Sequence, residues 1–319
     1  MIPNNIKIIP IIIPVKSPLK SVNFYLIKTD HSLLLIDAGM NIDDCWQGLN
    51  TTLAKHDFTL QDITHIIITH HHVDHVGLIN RIVENYQIPV YSHRFSVPRL
   101  RRDPEYLQKR IEFFADLYDK MGCGEAGEKQ INYLKNAAKK NTDQSITYEL
   151  HHIEELSLNE FQIVETPGHA IDQIALYDET GKTLLSGDLL IEHISSNALV
   201  EPDEFGNRMK TLVDHEASLK KIQALNIERV YPGHGQVIET PHDLIERRIL
   251  GIENKANKFL ALLEEKSLTA SELAQQFYKD TYKKQFSLVM SEIIGHLDYL
   301  EHKGKVKKDF ENGVWNYFV

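Results

Sequence analysis

The stretch THHHVDH at residues 69–75 decides the fold. It contains the pattern H-x-H-x-D-H, which places four metal-binding side chains within six residues: His70, His72, Asp74 and His75. Zinc readily binds imidazole nitrogen and carboxylate oxygen. The apolar run Ile63–Thr69 leads into this stretch and predicts a buried strand. Because a loop at the end of a strand can direct its side chains at two neighbouring positions, the sequence predicts a metal site there.

Three later segments share one layout, in which an apolar strand is followed by a short loop that contains glycine and a further donor. The strands are predicted over Phe161–Glu165, Thr183–Leu185 and Arg229–Tyr231, and the donors that follow are His169, Asp188 and His234. Glycine allows the backbone to turn tightly and to approach a site closely. A single Pro-Gly-His segment is usually only a turn, but this series after H-x-H-x-D-H predicts that all three donors reach the same site.

In type and order, these donors resemble the ligand set of the metallo-β-lactamase superfamily. The stretch LIDAG at residues 35–39 resembles the early aspartate motif of that family, and the resemblance extends over about residues 6–250. It implies an α/β fold, an αββα sandwich with the metal site along one edge. Within the superfamily, the chain resembles the glyoxalase II-like and ribonuclease-like branches, including a subgroup with a C-terminal winged-helix-like module.

The resemblance also implies a role for each donor. It assigns a first metal ion to three histidines: His70, His72 and His169. It assigns a second ion to three further side chains: Asp74, His75 and His234. Asp188 bridges the two ions, and Asp37 orients a ligand histidine from behind. The implied cofactor is two zinc ions, and the same donors also accept iron or manganese.

The implied chemistry is hydrolysis by a hydroxide held between two metal ions, because metal binding lowers the pKa of water to about 7. Asp74 is expected to orient this hydroxide, so no serine or cysteine nucleophile is required. The expected substrate is a small ester, thioester or lactone. His193, five residues after Asp188, is a candidate proton donor to the leaving group or a contact for an anionic group. A half-buried structural histidine is an equal alternative at that position.

Two changes in sequence pattern predict the domain organisation. Residues 1–250 are predicted to form the catalytic domain, with a helical insertion at about 95–145 in which apolar residues recur near helical spacing. Residues 251–319 are predicted to form a small winged-helix-like C-terminal domain. Its predicted elements include helices over Ile252–Glu265 and Phe286–His302 and a hairpin whose turn is Asn312-Gly313.

The charge of the chain bears on its partners. The net charge of −10 argues against a broad nucleic-acid surface, and residues 252–319 contain ten lysines, ten acidic residues and no arginine. Lys303, Lys305, Lys307 and Lys308 could form a basic wing, but a solvated hairpin that packs on the catalytic domain is favoured.

A nuclease is therefore the second hypothesis for the function. The third is a catalytically silent binding relative, which is disfavoured because all seven donors are present.

Two further sets of residues allow a structural interpretation beside a functional one. Five basic residues crowd the start of the insertion: Arg99, Arg101, Arg102, Lys109 and Arg110. They could bind a carboxylate or phosphate of the substrate, but a solvated helix face is favoured. His71, between two of the proposed ligands, has no ligand role in the family, and a solvated or stacked side chain is predicted for it.

The first apolar run and the cysteines indicate the compartment. The run Ile8–Val15 is too short to cross a bilayer, no basic segment precedes it, and only two cysteines occur among 319 residues. We therefore expect a cytoplasmic protein with a small-molecule substrate and no membrane partner. A homodimer is the expected assembly, because twofold dimers are the commonest oligomers.

Overall fold

Two β-sheets lie face to face in this chain, and helices cover the outer face of each. The computed structural model describes residues 6–141 and 144–319. Residues 1–5 of the predicted catalytic domain and residues 142–143 of the predicted insertion lie outside the described part. Within it, the elements and their packing give the αββα arrangement that the sequence predicts.

The first sheet has six strands, which lie side by side in chain order: β1 (Lys7–Pro14), β2 (Ser21–Lys28), β3 (Leu33–Ile36), β4 (His65–Ile67), β5 (Val90–Ser92) and β6 (Leu150–His152). The strands from β1 to β3 are antiparallel to their neighbours, and those from β3 to β6 are parallel. Parallel neighbours bring successive carboxyl ends to one edge of the sheet. The ligand loop follows β4 at this edge.

The second sheet has four strands in the order β10-β9-β8-β7: β7 (Gln162–Glu165), β8 (Ile174–Asp178), β9 (Thr183–Gly187) and β10 (Arg229–Pro232). The three strands predicted in this sheet, β7, β9 and β10, are confirmed to within two residues at each end. β9 and β10 are parallel, so the loops that follow them emerge together. Those loops contain Asp188 and His234.

Successive side chains of a strand point to opposite faces of the sheet, so the apolar side chains of the first sheet belong to two separate cores. In β3, Leu34 and Ile36 pack between the two sheets, whereas Leu33 and Leu35 pack against the outer helices. A strand has a side-chain period of two, so a strand that is buried on both faces has a continuous apolar sequence. This explains why the run LLLI at residues 33–36 contains no polar position.

Helices complete both outer layers. The first sheet is covered by α1 (Asp43–Lys55), α2 (Val73–Val76) and α3 (Ile79–Val83). The predicted insertion contains α4 (Val97–Leu100), α5 (Pro104–Lys120) and α6 (Gly124–Lys140). The second sheet is covered by α7 (Thr211–Gln223) and α8 (Pro241–Glu265), with α5 and α6 beside them.

The C-terminal elements form a third, three-stranded sheet and three helices: β11 (Leu268–Thr269), α9 (Ala270–Tyr278), α10 (Asp280–Lys284), α11 (Phe286–His302), β12 (Lys307–Glu311) and β13 (Val314–Phe318). The predicted hairpin is present, and its turn residues Asn312 and Gly313 have φ of 50° and 86°. Both values lie in the left-handed region that an Asn-Gly turn favours. The description of this region as winged-helix-like, and the boundary at residue 250, stay predictions.

The helix predicted to start at Ile252 begins earlier, at Pro241. Proline suits a first helical turn because its missing N–H would have no helical partner there. Gly251, the first residue after the predicted domain boundary, lies inside α8, where glycine costs only about 1 kcal/mol relative to alanine. Helix α8 therefore runs through the predicted boundary, and its side chains join one apolar core with those of α7 and α11.

None of the described helices combines the length and the apolar character that a bilayer crossing requires.

Candidate metal centre

Three histidines converge at the end of β4. His70 and His72 belong to the loop between β4 and α2, and His169 follows β7. The Nδ1 atom of His72 lies 3.0 Å from Nε2 of His70 and 3.0 Å from Nε2 of His169. These three nitrogens could hold one metal ion.

A second group lies beside the first. Asp74 and His75 are in α2, and His234 follows β10. Oδ2 of Asp74 lies 3.5 Å from Nε2 of His234, and these three side chains could also hold an ion. Asp188 stands between the groups, because its Oδ2 lies 3.1 Å from Nε2 of His234 and 3.6 Å from Nε2 of His169. The structure therefore brings all seven predicted donors together.

The buried atoms of this site fit a bound cation. Nε2 of His75, Nε2 of His234 and Oδ1 of Asp188 are buried and have no hydrogen-bond partner among the described residues. Leaving a buried polar atom unpaired is costly, so such atoms are rare unless a ligand satisfies them. All three are atom types that zinc binds.

In three of the histidines, His75, His169 and His234, the other ring nitrogen, Nδ1, donates a hydrogen bond to the protein. Nδ1 of His75 donates to Oδ2 of Asp37 at 2.8 Å. The other two rings donate from Nδ1 to backbone carbonyls: His234 to that of Ser21 at 2.7 Å, and His169 to that of Asn197 at 2.9 Å. A neutral imidazole that donates from Nδ1 has a lone pair on Nε2. The three hydrogen bonds therefore fix the tautomer that a metal ligand requires.

Electrostatics act in opposite directions on different donors. Burial alone would lower the pKa of His75 and His234, but Asp188 outweighs burial and raises both, so a metal ion would replace a proton on these two rings. Burial, aided by the neighbouring imidazoles, holds the pKa of His70 and His72 well below the usual range, so both are neutral. For Asp188, burial alone would raise the pKa, but His75 and His234 outweigh it and hold the pKa well below the usual range. Asp188 is therefore an ionised carboxylate inside the site.

Asp37 connects the end of β3 to the ligand loop, as the sequence predicts. Its Oδ1 accepts a hydrogen bond from the backbone N–H of Thr69 at 2.8 Å, and its Oδ2 accepts from the Thr69 hydroxyl and from His75, each at 2.8 Å. One buried carboxylate thus holds both the start of the loop and the ring of a proposed ligand.

Two positions in the later loops require glycine, because neighbouring atoms leave no room for a side chain. A Cβ on Gly233 would lie 2.2 Å from Oδ1 of Asp188. Gly168 has φ of 144°, and a Cβ there would lie 2.5 Å from Cα of His215 in α7. Larger residues at either position would displace a proposed ligand or the helix behind it.

The structure places His193 beside the loop of His234. Its Nε2 lies 3.0 Å from the carbonyl of Pro18, and its ring faces Gly235, where a Cβ would lie 2.7 Å from Nδ1. The side chain is partly exposed at the rim of the site rather than among the convergent donors.

Asp172 is a residue of the site that sequence reasoning missed. It is fully buried, and its carboxylate accepts hydrogen bonds from the backbone N–H of His71 at 2.9 Å, from Nδ1 of His71 at 2.7 Å and from Oγ of Ser96 at 2.5 Å. The predicted solvated side chain of His71 is therefore wrong, because its ring is tied to Asp172, whereas the stacked alternative is confirmed by an edge-on contact with His72 at 4.7 Å between ring centroids. The sequence offered only an aspartate three residues after His169, which by itself indicates nothing.

Replacing Asp172 with asparagine is expected to lower the affinity for zinc by about 10- to 100-fold, the usual effect of losing a group that positions ligands. The amide can accept at only one of its two atoms, so His71, between His70 and His72, loses the contact of either its backbone N–H or its ring. Competition with a chromophoric chelator measures the affinity. Ser96→Ala, which removes one hydrogen bond to Asp172 and spares His71, should have a smaller effect. Unchanged affinity in Asp172→Asn would show that His72 is placed without it.

The basic residues at the start of the insertion are engaged inside the protein, so the favoured solvated helix face is wrong for most of them. Arg110 donates from Nε to both carboxylate oxygens of Glu201 at 2.8 and 3.1 Å, and Arg99 lies 3.4 Å from the same carboxylate. Arg101 and Arg102 donate to backbone carbonyls. Only Lys109 follows the prediction, in an exposed pair with Glu105.

Comparison with known proteins agrees with this geometry. A family model described as the metallo-beta-lactamase superfamily matches residues 18–234. The chain belongs to the metallo-beta-lactamase superfamily. The "Probable metallo-hydrolase YqjP" of Bacillus subtilis (strain 168) is 33% identical over 309 residues, which cover 96% of this chain and 96% of that protein.

Two other comparisons bear on the superfamily fold and its activities. The crystal structure of a metallo-beta-lactamase family protein from Thermus thermophilus, TTHA1429, matches with a TM-score of 0.76 and 25% identity, over 98% of both chains. The atrochrysone carboxyl ACP thioesterase dmxR1 of Cryptosporiopsis sp. (strain 8999) is 22% identical over 96% of this chain and 82% of that protein. The predicted fold is confirmed, and superfamily membership supports a hydrolase whose His and Asp groups could hold metal.

Proposed function

We propose that this superfamily member is a two-zinc hydrolase that cleaves small thioesters and esters, lactones included. The observation that carries the proposal is the position of Asp188, whose buried carboxylate contacts histidines of both donor groups. A shared carboxylate of this kind supports two neighbouring ions rather than one. The proposed ligands are the seven convergent donors: His70, His72, Asp74, His75, His169, Asp188 and His234.

The residues of the site divide the work of hydrolysis between them. Divalent metal ions in such a site supply a water-derived nucleophile near neutral pH and stabilise the negative charge that develops on the substrate. Asp74 is more exposed than Asp188, at 18% against 6% of the side chain, so it is the carboxylate that incoming water and substrate can reach. We assign it the hydrogen bond that orients the attacking water.

Several observations favour a small acyl substrate over a nucleic acid. A relative that spans nearly all of this chain is named as an acyl-carrier-protein thioesterase. In the proposed basic wing, Lys308 pairs with Glu301 and Lys303 lies 3.5 Å from Glu216, so two of its four lysines are engaged inside the chain. Paired lysines contribute little to phosphate binding. We infer that the C-terminal elements are structural, and that a nuclease is the second candidate.

Hydrolysis of a four-member panel by the zinc-loaded protein tests the proposal: an acyl thioester, a lactone, a phosphodiester and an RNA oligomer. We expect cleavage of the thioester or lactone, and we expect Asp74→Asn to lower kcat by about 10²-fold or more because it removes the proposed acceptor for water. Metal content of both proteins must be equal for this comparison. Cleavage of only the phosphodiester or RNA would promote the nuclease, and no cleavage with full metal content would favour a binding relative.

We further propose that His193 donates a proton to the leaving group. His193→Ala is then expected to lower kcat by about 10²-fold for a poor leaving group such as an alcohol. The loss should be smaller for a thiol, which leaves readily as its anion. His242→Ala, which removes an exposed histidine of α8, serves as the control. A loss of less than a few-fold with both substrates would make His193 a structural residue that bonds the Pro18 carbonyl.

A further inference from the structure

A cavity separate from the metal centre lies behind it, and none of the proposed metal ligands borders this cavity. It has a volume of about 170 Å³, is partly open to solvent, and is bordered by α7, α8, α11 and the segment Ser195–Ala198. Because a water molecule occupies about 30 Å³ of liquid, this space could hold about six waters or one small organic molecule.

Buried nitrogens around this cavity have no partner among the described residues. They are Nδ1 of His215, Nε2 of His296 and Nε of Arg248. His215 and His296 are each only 3% exposed, and burial lowers their pKa to about 3 and about 4, so both are neutral at pH 7. Nδ1 of His296 donates to the carbonyl of Glu292 at 2.7 Å, which leaves a lone pair on Nε2. Nε of Arg248 is a donor from which an anionic occupant can accept, whereas the lone pair on Nε2 of His296 accepts only from a donor such as a water molecule bound beside that occupant.

The charges of the lining favour an anion. Arg247, Arg248 and Lys255 contribute three positive charges, and Glu292, which pairs with Lys255, contributes one negative charge. A terminal nitrogen of Arg248 donates to the backbone carbonyls of residues 191, 192 and 194, but no carboxylate of the described residues pairs with the guanidinium. Burial lowers the pKa of Arg248, and the charge of Arg247 lowers it further, as expected for a cation without a counterion. Arg247 is exposed at the edge of the cavity and forms no salt bridge within the described part of the chain, so its charge is available to an occupant.

One wall of the cavity is apolar, although Ser195, Ser196, Asn197 and Ser291 add polar groups elsewhere in the lining. Leu212 and Leu219 of α7 and Ile252 of α8 border the cavity, together with two glycines of the helices. Inorganic phosphate has no apolar surface to match this wall. A short carboxylate presents a charged head to the arginines and an alkyl body to the leucines.

We propose that this cavity binds a small organic carboxylate at a site distinct from the metal centre. The inference does not depend on which substrate is hydrolysed. The cavity shares the segment Ser195–Ala198 with the metal centre, since the Asn197 carbonyl accepts from His169 and the Ser196 hydroxyl donates to the carbonyl of Asp188. An occupant therefore contacts the segment that holds two of the proposed ligands.

Gly251 offers a matched pair of variants for the test. It borders the cavity from α8, and a Cβ there would meet no atom within 4 Å. Because Gly251 is exposed, Gly251→Leu places a bulky side chain at the solvent-exposed edge of the cavity, whereas Gly251→Ala makes the same backbone change with little volume. Both replace a helical glycine, so both should fold at least as stably as the parent chain.

Calorimetric titration of the zinc-loaded full chain with sodium butyrate tests the proposal. We expect a dissociation constant on the order of 1 mM or tighter, retained in Gly251→Ala, lost in Gly251→Leu and weakened at least about fivefold in Arg247→Gln. Butan-1-ol, which lacks the charge, and inorganic phosphate, which lacks the apolar body, should bind more weakly than butyrate.

Three outcomes would overturn the proposal. Absence of butyrate binding would mean that the cavity holds water only. Butyrate binding that survives in Gly251→Leu would place the carboxylate on the metal ions instead. Phosphate binding at least as tight as that of butyrate would show that the charged rim alone is recognised.

Discussion

Replacement of Asp188 by asparagine is expected to lower kcat/KM by about 10³-fold or more, the largest effect of any single change at this site. Its carboxylate contacts His75, His169 and His234, so one substitution weakens both proposed ion positions. Stabilisation by a metal ion is worth several kcal/mol, and about 4 kcal/mol corresponds to 10³-fold in rate. Steady-state kinetics together with metal analysis measure the loss.

Asp178→Asn is the matched control for this experiment. Asp178 is as buried as Asp188, at 5% against 4% exposure, but it lies at the end of β8, where it accepts a hydrogen bond from the N–H of Gly181. We expect it to retain activity and two equivalents of zinc. Full metal content and unreduced activity in Asp188→Asn would contradict the bridging role.

Replacement of Glu201 by glutamine is expected to reduce the free energy of unfolding by about 3–5 kcal/mol, the usual cost of removing one partner from a buried ion pair. The Glu201 and Arg99 side chains are each only 7% exposed, and Arg110 donates to both carboxylate oxygens. The neutral amide would leave two guanidinium groups without a counterion. Urea unfolding followed by circular dichroism measures the change.

The effect of Glu201 has a predictable pH dependence. Burial opposes its ionisation, but Arg110 and Arg99 outweigh burial and hold its pKa below the usual range. Since the folded-state pKa lies below the unfolded value, the stabilisation is complete above about pH 4.3 and is lost as pH falls through the folded value. The difference between the parent chain and Glu201→Gln should therefore be constant near pH 7 and shrink in acid.

Glu239→Gln provides the comparison, because Arg229 donates to both oxygens of Glu239 in a pair that is largely exposed. An exposed pair contributes about 0–1 kcal/mol, so this variant should remain close to the parent. Equal losses in both glutamine variants would mean that burial does not govern the contribution of Glu201.

Local sequence determined the donors and the framework that presents them. Each donor follows an apolar strand in the same pattern, and strand alternation and glycine loops are short-range signals that a single chain displays. For this reason the αββα arrangement, the convergence of seven donors and the place of Asp37 behind His75 could be predicted. The Asn312-Gly313 turn was predictable for the same reason, since only its own φ angles matter.

The partners of isolated polar residues could not be predicted, because they are far apart in the sequence. Asp172 bonds His71 across 101 positions, and Glu201 bonds Arg110 across 91. Whether an arginine is solvated or paired depends on which residues folding places beside it, and no periodicity records that. Tertiary packing also explains why α8 continues through Gly251. Packing against α7 and α11 outweighs the unfavourable helix propensity of glycine, which costs about 1 kcal/mol. The sequence by itself therefore determined the donors and the framework, whereas only the tertiary structure decided what holds them in place.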